Sequence, residues 1–242
     1  MKKFNTLIFH RIVEGRLQAW EDVSSEFFKE LISKSLESGK IISSLKNTEA
    51  FNSDIVLTFD DGYRSDYEIV YPYLKERNLS ATFFIVPEYV SQNGYMNWEQ
   101  VQELNKSGME IGSHSLSHSN LSELSFRSIY DDVVLSKKII EDKIGSSVNS
   151  FSFPYGSYKR GMENLVFEAG YKYVCNSEPG INNKNFLIKR NAIHSASKNL
   201  RKILEPTFFE IKKASMYYHS RLLIKNLIGL EYYQKIKNLL LK

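Results

Sequence analysis

The sequence predicts an α/β fold, read as a (β/α) barrel, and three observations predict it. Short β-branched and apolar runs alternate with helix-periodic segments, the pattern of parallel strands flanked by helices. Seven or so such units follow one another, which suits a barrel better than a small open sheet. Potential ligands and bases collect just after the strand candidates, where parallel α/β folds gather their chemistry. An open doubly wound sheet shares the alternation and the preference for strand ends, so periodicity alone leaves both architectures standing.

Taken in order, Thr6 to Phe9 reads as the first strand. Ser24 caps a helix in which Phe27, Phe28, Leu31, Ile32 and Leu36 recur at three- and four-residue steps. Ile55 to Phe59 is a strand, and Ile69, Val70, Tyr73 and Leu74 mark a helix that ends near Asn78 with Pro72 inside it. Ala81 to Val86 is a strand. Asn97 caps a helix carrying Trp98, Val101 and Leu104, closed by Gly108. A strand at Met109, a long helix over about Ser125 to Lys143 and a strand from Ser150 to Phe153 follow. A helix from about Met162 to Ala169 stops at Gly170, and Tyr171 to Cys175 is the next strand. No internal repeat or low-complexity linker interrupts the series.

Composition narrows the classes. At 242 residues with 42% hydrophobic and 25% charged side chains, the chain can bury the core of one large domain. Cys175 is the single cysteine, which excludes an intrachain disulfide and reads as packing within a strand. The apolar stretch behind Lys2 and Lys3 is too short for a signal peptide, and no run approaches the roughly 18 residues of a membrane span. Cytoplasmic residence is the expectation. The net charge of +4 is concentrated from Lys198 onward, where ten Lys or Arg face three Glu.

Two strand ends are loaded with chemistry. Ile55-Val56-Leu57-Thr58-Phe59 runs directly into Asp60-Asp61-Gly62. Carboxylates that close push each other's pKa values apart, and a metal ion relieves the conflict by ligating one and leaving the other as a base. The strand at Met109 runs into His114-Ser115-Leu116-Ser117-His118. Histidines four apart share one face if the segment makes a helical turn, and so can grip one ion. With Asp61 they supply two imidazoles and a carboxylate, leaving positions open for water and substrate. A zincin protease needs Glu directly after the first His, and Ser115 stands there, so the base must come from elsewhere. Asp60 is the candidate. Imidazole and carboxylate suit zinc, nickel, cobalt and iron alike, with zinc the first expectation.

Thr58-Phe59-Asp60-Asp61-Gly62, His114-Ser115-Leu116-Ser117-His118 and Phe153-Pro154-Tyr155-Gly156, in this order, resemble the motifs of the polysaccharide deacetylase family with its NodB homology domain. The resemblance runs from about Thr6 to Arg190 and takes in Ala81-Thr82-Phe83-Phe84 and Gly170-Tyr171. It implies a deformed (β/α) barrel and metal-dependent removal of acetyl groups from N-acetylated sugars. Carried over, Asp61, His114 and His118 bind the metal, Asp60 is the general base, and the Tyr155 backbone N–H helps hold the oxyanion. Pro154, Tyr155 and Arg190 are expected along the substrate cleft.

The family's general acid is a His near the end of its last barrel strand, and no strand is evident after Arg190. Leu7-Ile8-Phe9-His10-Arg11-Ile12 instead resembles the first strand of the circularly permuted subgroup that includes the poly-N-acetylglucosamine deacetylases. This makes His10 the expected acid and His194 the runner-up. The third motif often begins with an Arg that pairs with the base, and here that position is Ser152. Asp60 then loses its partner unless Arg190 or Arg11 reaches in. Ser152 motivates a rival reading, a barrel that binds carbohydrate without catalysis; a further alternative is an esterase for O-acetyl groups, whose alcohol needs less help from a general acid to leave.

The resemblance divides the chain into a catalytic region, residues 1–197, and a basic helical extension, 198–242. In the extension Leu222, Leu223, Ile224, Leu227, Ile228 and Leu230 recur at helical spacing among Arg221, Lys225, Lys235 and Lys237. Two helices packed against the barrel with their Lys faces in water account for that pattern; peripheral contact with an anionic membrane is the alternative. The partners expected are an N-acetylated glycan or a lipid-linked or nucleotide-linked sugar. Nucleic acid is not expected, since no aromatic-basic module is present.

Overall fold

The computed structural model describes residues 3–47, 53–183, 186–229 and 232–233. Its strands are β1 (Asn5–Phe9), β2 (Arg11–Val13), β3 (Asp22–Ser24), β4 (Ile42–Ser43), β5 (Ile55–Phe59), β6 (Thr82–Ile85), β7 (Glu110–Ser113), β8 (Ser150–Ser152), β9 (Tyr173–Cys175), β10 (Leu187–Ile188) and β11 (Asn191–Ala192). The helices are α1 (Ser25–Glu37), α2 (Tyr71–Glu76), α3 (Trp98–Lys106), α4 (Phe126–Ile144), α5 (Met162–Glu168), α6 (Leu200–Leu204) and α7 (Phe208–Ile228).

The principal sheet is parallel and runs β10-β9-β8-β7-β6-β5-β1-β11, with β4 also on β5. Both ends of that order lie in one extended stretch, separated only by Lys189 and Arg190. The sheet therefore curls until its first and last positions meet, the deformed barrel that the resemblance implies. β1 lies between β5 and β11, so the N-terminal strand fills a place in the ring far from its sequence neighbours.

Alternation along the strands sorts side chains between two cores. Leu7, Phe9, Leu57, Phe59, Phe83, Ile85, Ile111, Phe151 and Val174 join the large cluster with helix residues such as Phe28, Leu31, Val101, Val133 and Val166. Val56, Phe84, Cys175 and Ile188 form a smaller cluster with Phe4 and Leu45. Cys175 is thus a packing residue, buried and unpaired. Gly112 belongs to this second set by necessity, because a Cβ there would lie 2.5 Å from the Phe84 ring.

The helix boundaries follow their caps. Ser24 accepts the Phe27 N–H, Asn97 and Gln100 close a reciprocal capping box, Ser125 accepts the Ser128 N–H, and Gly145 ends α4 in the left-handed conformation. Pro72 does not interrupt its helix but modifies it. The turn before it, Asp66–Val70, widens to π geometry, with the Tyr71 N–H reaching back to the Asp66 carbonyl. Pro72 lacks the N–H for an ordinary turn there, and the wider turn accommodates its ring.

Three strand-level features are additional to the sequence reading. β2 and β3 form a small parallel pair beside the barrel. A strand does follow Arg190, contrary to expectation: β11 pairs with β1, Leu7 against Asn191. Two residues give too little pattern for a sequence to reveal. The extension packs on the barrel: Leu200, Ile203 and Leu204 join the main core, and Asn5 Nδ2 donates to the Ile203 carbonyl at 2.7 Å. No described helix is long and apolar enough to cross a membrane. Leu230, Lys235 and Lys237 lie outside the described residues.

Candidate functional site

Strand register places the first two polar groups. β1 and β5 pair Phe9 with Phe59, and the Asp60 N–H donates to the Phe9 carbonyl at 3.0 Å, so His10 and Asp60 leave neighbouring strands side by side. The chain then turns sharply: Asp61 and Gly62 both hold φ 76°. Asp is among the few non-glycine residues that tolerate this region. The turn carries the Asp61 carboxylate toward the end of β7.

The loop after β7 is not the helical turn that the four-residue spacing suggests. Ser115 and His118 adopt φ 65° and 59°, folding the loop back so that both imidazoles face Asp61. The Ser115 hydroxyl accepts the His118 N–H, and Asp132 of α4 accepts the Leu116 N–H at 2.9 Å. Side-chain acceptors thus fix the backbone in a conformation that a regular helix would not allow.

His118 Nε2 lies 3.2 Å and His114 Nε2 3.5 Å from Asp61 Oδ1. Ligand atoms each about 2.1 Å from a tetrahedral ion stand roughly 3.4 Å apart, so these spacings fit a shared cation. Asp61 Oδ1 is buried and has no hydrogen-bond partner. A buried carboxylate oxygen left without a partner is costly unless a cation completes it. His114 Nδ1 is 2.7 Å from the Ser152 carbonyl, which can only accept, so the proton is on Nδ1 and the Nε2 lone pair faces Asp61. Burial pushes the His114 pKa down to about 4, which keeps its ring neutral near pH 7. Asp61, His114 and His118 are therefore a ligand set suited to one divalent ion.

Asp60 points to a different partner. Arg190 Nη1 and Nη2 donate to its two oxygens at 2.7 and 2.9 Å, and Arg190 is fully buried. The Ser152 hydroxyl sits between them, accepting from Arg190 Nη2 at 2.7 Å and donating to Asp60 at 3.2 Å. The Asn176 carbonyl takes the Arg190 Nε–H at 3.0 Å, and the Phe84 ring lies under the guanidinium. Burial alone would raise the Asp60 pKa, but the Arg190 charge outweighs it and holds the carboxyl well below its ordinary range. The Arg missing at Ser152 is thus replaced from the β10–β11 junction. Arg11 does not take part; it pairs with Asp22 at 2.7 Å.

A cavity of about 370 Å³ opens over this cluster. His10 and His194 both line it, as do Asp60, Asp61, His114 and His118. His194 is stacked on Trp20 at 4.0 Å, and its Nδ1 accepts the Ala196 N–H. Tyr155 stands at the wall with φ 58°, its ring edge against His118 at 4.4 Å. Two expectations need correction. Pro154 is buried in the turn and does not line the cavity, and Arg190 serves Asp60 from beneath the floor instead of facing the cleft. Sequence reasoning did not single out the aromatic wall of Trp20, Tyr63, Tyr89 and Tyr95, nor Tyr218 of α7. These residues lie on loops and on the extension, and only the fold brings them together.

Fold and site together define a (β/α) barrel with a two-histidine, one-carboxylate metal geometry at the C-terminal rim and a second carboxylate beside it. The chain belongs to the polysaccharide deacetylase family, whose model matches residues 48–174. It is similar to the peptidoglycan-N-acetylglucosamine deacetylase PgdA of Listeria monocytogenes, 33% identical over 110 residues, which are 45% of this chain and 23% of that protein. The poly-β-1,6-N-acetyl-D-glucosamine N-deacetylase of Staphylococcus aureus is 28% identical over 131 residues, 48% of this chain and 45% of the relative. The chain thus spans less than half the length of these relatives. Among solved structures, Streptococcus pyogenes deacetylase PplD in complex with acetate superposes with a TM-score of 0.77 at 20% identity, over 84% of this chain and 99% of that one. IcaB from Ammonifex degensii gives 0.75 at 19% identity, over 85% and 97%. At these identities the likeness establishes the shared fold.

Proposed function

We propose that this chain hydrolyses the acetamide of N-acetylated sugars in a glycan or glycan precursor, releasing acetate and a free amine. The observation that carries the reading is the unpartnered, buried Asp61 Oδ1 flanked by two imidazole Nε2 atoms. A divalent ion held by Asp61, His114 and His118, with zinc the first candidate and nickel, cobalt or iron also suited, would polarise the acetyl carbonyl and acidify water.

The remaining work falls to the chain's own groups. Asp60, kept ionised and oriented by Arg190, takes a proton from the attacking water. The Tyr155 backbone N–H donates to the oxygen that gains charge as water adds to the carbonyl carbon. His10, emerging beside Asp60, gives a proton to the sugar nitrogen as the carbon–nitrogen bond breaks. Register favours His10 over His194, since β1 adjoins β5 while β11 lies one strand further away. The Arg190 pair, which orients Asp60, supports the catalytic reading over an inert barrel.

Acetate release from N-acetylated and O-acetylated oligosaccharides, measured beside bound metal, tests the proposal. Asp60→Asn should retain metal and abolish release; His114→Ala should lose both. Full activity in Asp60→Asn, or undiminished turnover after exhaustive chelation, would refute it.

A further inference from the structure

The rim of the cavity is cross-tied from loop to loop. Ile12 of β2 donates its N–H to the Ser65 hydroxyl at 3.3 Å, joining the chain after β1 to the loop after β5. The loops after β5 and β6 are zipped together. The Arg64 N–H donates to the Gly94 carbonyl at 2.8 Å and the Met96 N–H to the Gly62 carbonyl at 3.0 Å. The Glu88 N–H reaches the Leu116 carbonyl at 3.2 Å, which ties the β6 loop to the histidine loop after β7. That loop meets the one after β8 through the His118 and Tyr155 rings. Gly156 approaches the loop after β9 so closely that a Cβ on it would lie 2.8 Å from the Ser177 side chain. The Glu178 carbonyl accepts the Arg190 N–H and the Trp20 carbonyl the Ser195 N–H, each at 3.0 Å, which completes the circuit through β11 to the β2–β3 side.

Helix α7 raises one side of this ring. The Tyr218 hydroxyl donates to the Gly156 carbonyl and Lys225 Nζ to the Tyr155 carbonyl, both at 2.9 Å. His219 Nε2 lies 3.7 Å from Glu178 Oε1, so the helix bridges the loops after β8 and β9. Its Tyr218 and Leu222 line the cavity. In the strand order β5 stands across the ring from β9. On that side Tyr63 and Tyr95 stack at 5.0 Å, with Tyr89 packed on Tyr95 at 4.8 Å, and all three also line the cavity. The space of about 370 Å³ between these walls is near the small end of the roughly 300–1,000 Å³ of small-molecule sites. A polymer lying across a site needs two breaks in its rim, one for each direction of the chain. No adjoining pair of rim loops among the described residues lacks a tie.

We propose that the site takes one terminal acetylated sugar, inserted end-on, and that Tyr218 and Leu222 of α7 bar the internal units of a long chain. The proposal rests on the deacetylase reading and specifies its substrate class. That class is a chain end or a single-sugar precursor, not the interior of a polymer.

N-acetylglucosamine and its β-1,4- and β-1,6-linked oligomers of two to six units should be digested, and the free amines located by mass-spectrometric sequencing. The wild-type protein should leave an amine on one end unit only, the same end at every length. Turnover of the monosaccharide alone supports the proposal equally, and amines on internal units would overturn it. Tyr218→Ala with Leu222→Ala should raise the fraction of internal amines at least tenfold. Products of that variant still confined to the end would overturn the part given to α7. The wild-type product pattern decides the end-on site whether or not the variant folds. If no sugar releases acetate, the deacetylase reading fails by itself. Saturation-transfer NMR of the hexamers on the purified protein then tests the pocket. Transfer confined to one end unit supports it, and transfer along the whole chain, or none, overturns it.

Discussion

Arg190 and Asp60, 130 positions apart in the chain, meet through two parallel hydrogen bonds of 2.7 and 2.9 Å beneath the site. Removing one partner of such a buried pair leaves an uncompensated charge and costs about 3–5 kcal/mol. Arg190→Gln should lower stability by that order in denaturant unfolding. It should also raise the Asp60 pKa, because the cation that depresses it is gone. In the proposed mechanism activity at low pH depends on ionised Asp60, so the acidic limb of kcat/KM should move to higher pH. A limb that stayed in place would remove Asp60 from the role of base.

The orphaned Asp61 Oδ1 makes a separate prediction about metal. Asp61→Asn should lower bound metal at least tenfold by elemental analysis, with the fold kept by circular dichroism. Chelation should lower the Tm of the native protein, since an ion that binds only the folded state stabilises it. It should leave the Tm of the Asp61→Asn protein almost unchanged.

His10 and His194 both reach the cavity but follow different strands, β1 and β11. His10→Ala should reduce kcat on N-acetyl substrates by about 10²- to 10⁴-fold, the usual contribution of a positioned general acid. The loss on O-acetyl esters should be smaller, because an alcohol leaves more readily than an amine. His194→Ala should cost far less on either substrate. Reversal of that order would assign the acid to β11.

Asp66, in the π turn after the Asp-Asp-Gly bend, is fully buried and neither carboxylate oxygen has a hydrogen-bond partner. Burial, and then the charges of Asp61 and Asp60, push its pKa well above the ordinary 3.8. With the folded pKa raised, the native state binds the extra proton, so stability falls as pH climbs above about 4 until the folded pKa is reached. The loss is about 1.4 kcal/mol per pH unit for one group. Asp66→Asn, which needs no proton, should raise Tm at pH 8 more than at pH 5. A gain independent of pH would mean that Asp66 is ionised in the folded protein.

Much of this was legible in the sequence, because the signals were local. Asp-Asp-Gly closing a β-branched run announces a strand end, and Ser24, Asn97 and Ser125 announce helix starts through cap chemistry. Alternation narrowed the fold to a barrel or an open doubly wound sheet, and the motif resemblance pointed to the barrel. The conformation of the His114–His118 loop could not, since positive φ at Ser115 and His118 depends on hydroxyl and carboxylate acceptors supplied after folding. Arg190 is one of two arginines that the sequence offers to replace the partner lost at Ser152. Choosing it over Arg11 required knowing that β10 and β11 flank it and that Asp22 captures Arg11. The α7 wall was the least visible part. Its Leu and Lys spacing fits any amphipathic helix, and nothing local reveals which surface it covers.

The stretch from Leu187 to Ala192 joins β9 to β1 and delivers Arg190 at the seam. Closing the ring and supplying the counter-ion of Asp60 are consequently one event. A segment trimmed to residues 48–174 would keep both halves of the ion-binding motif, yet lack the seam that completes the cylinder. It would also lack the cation that keeps Asp60 ionised. For this chain, the Asp60–Arg190 pair exists only where the most distant parts of the polypeptide have docked.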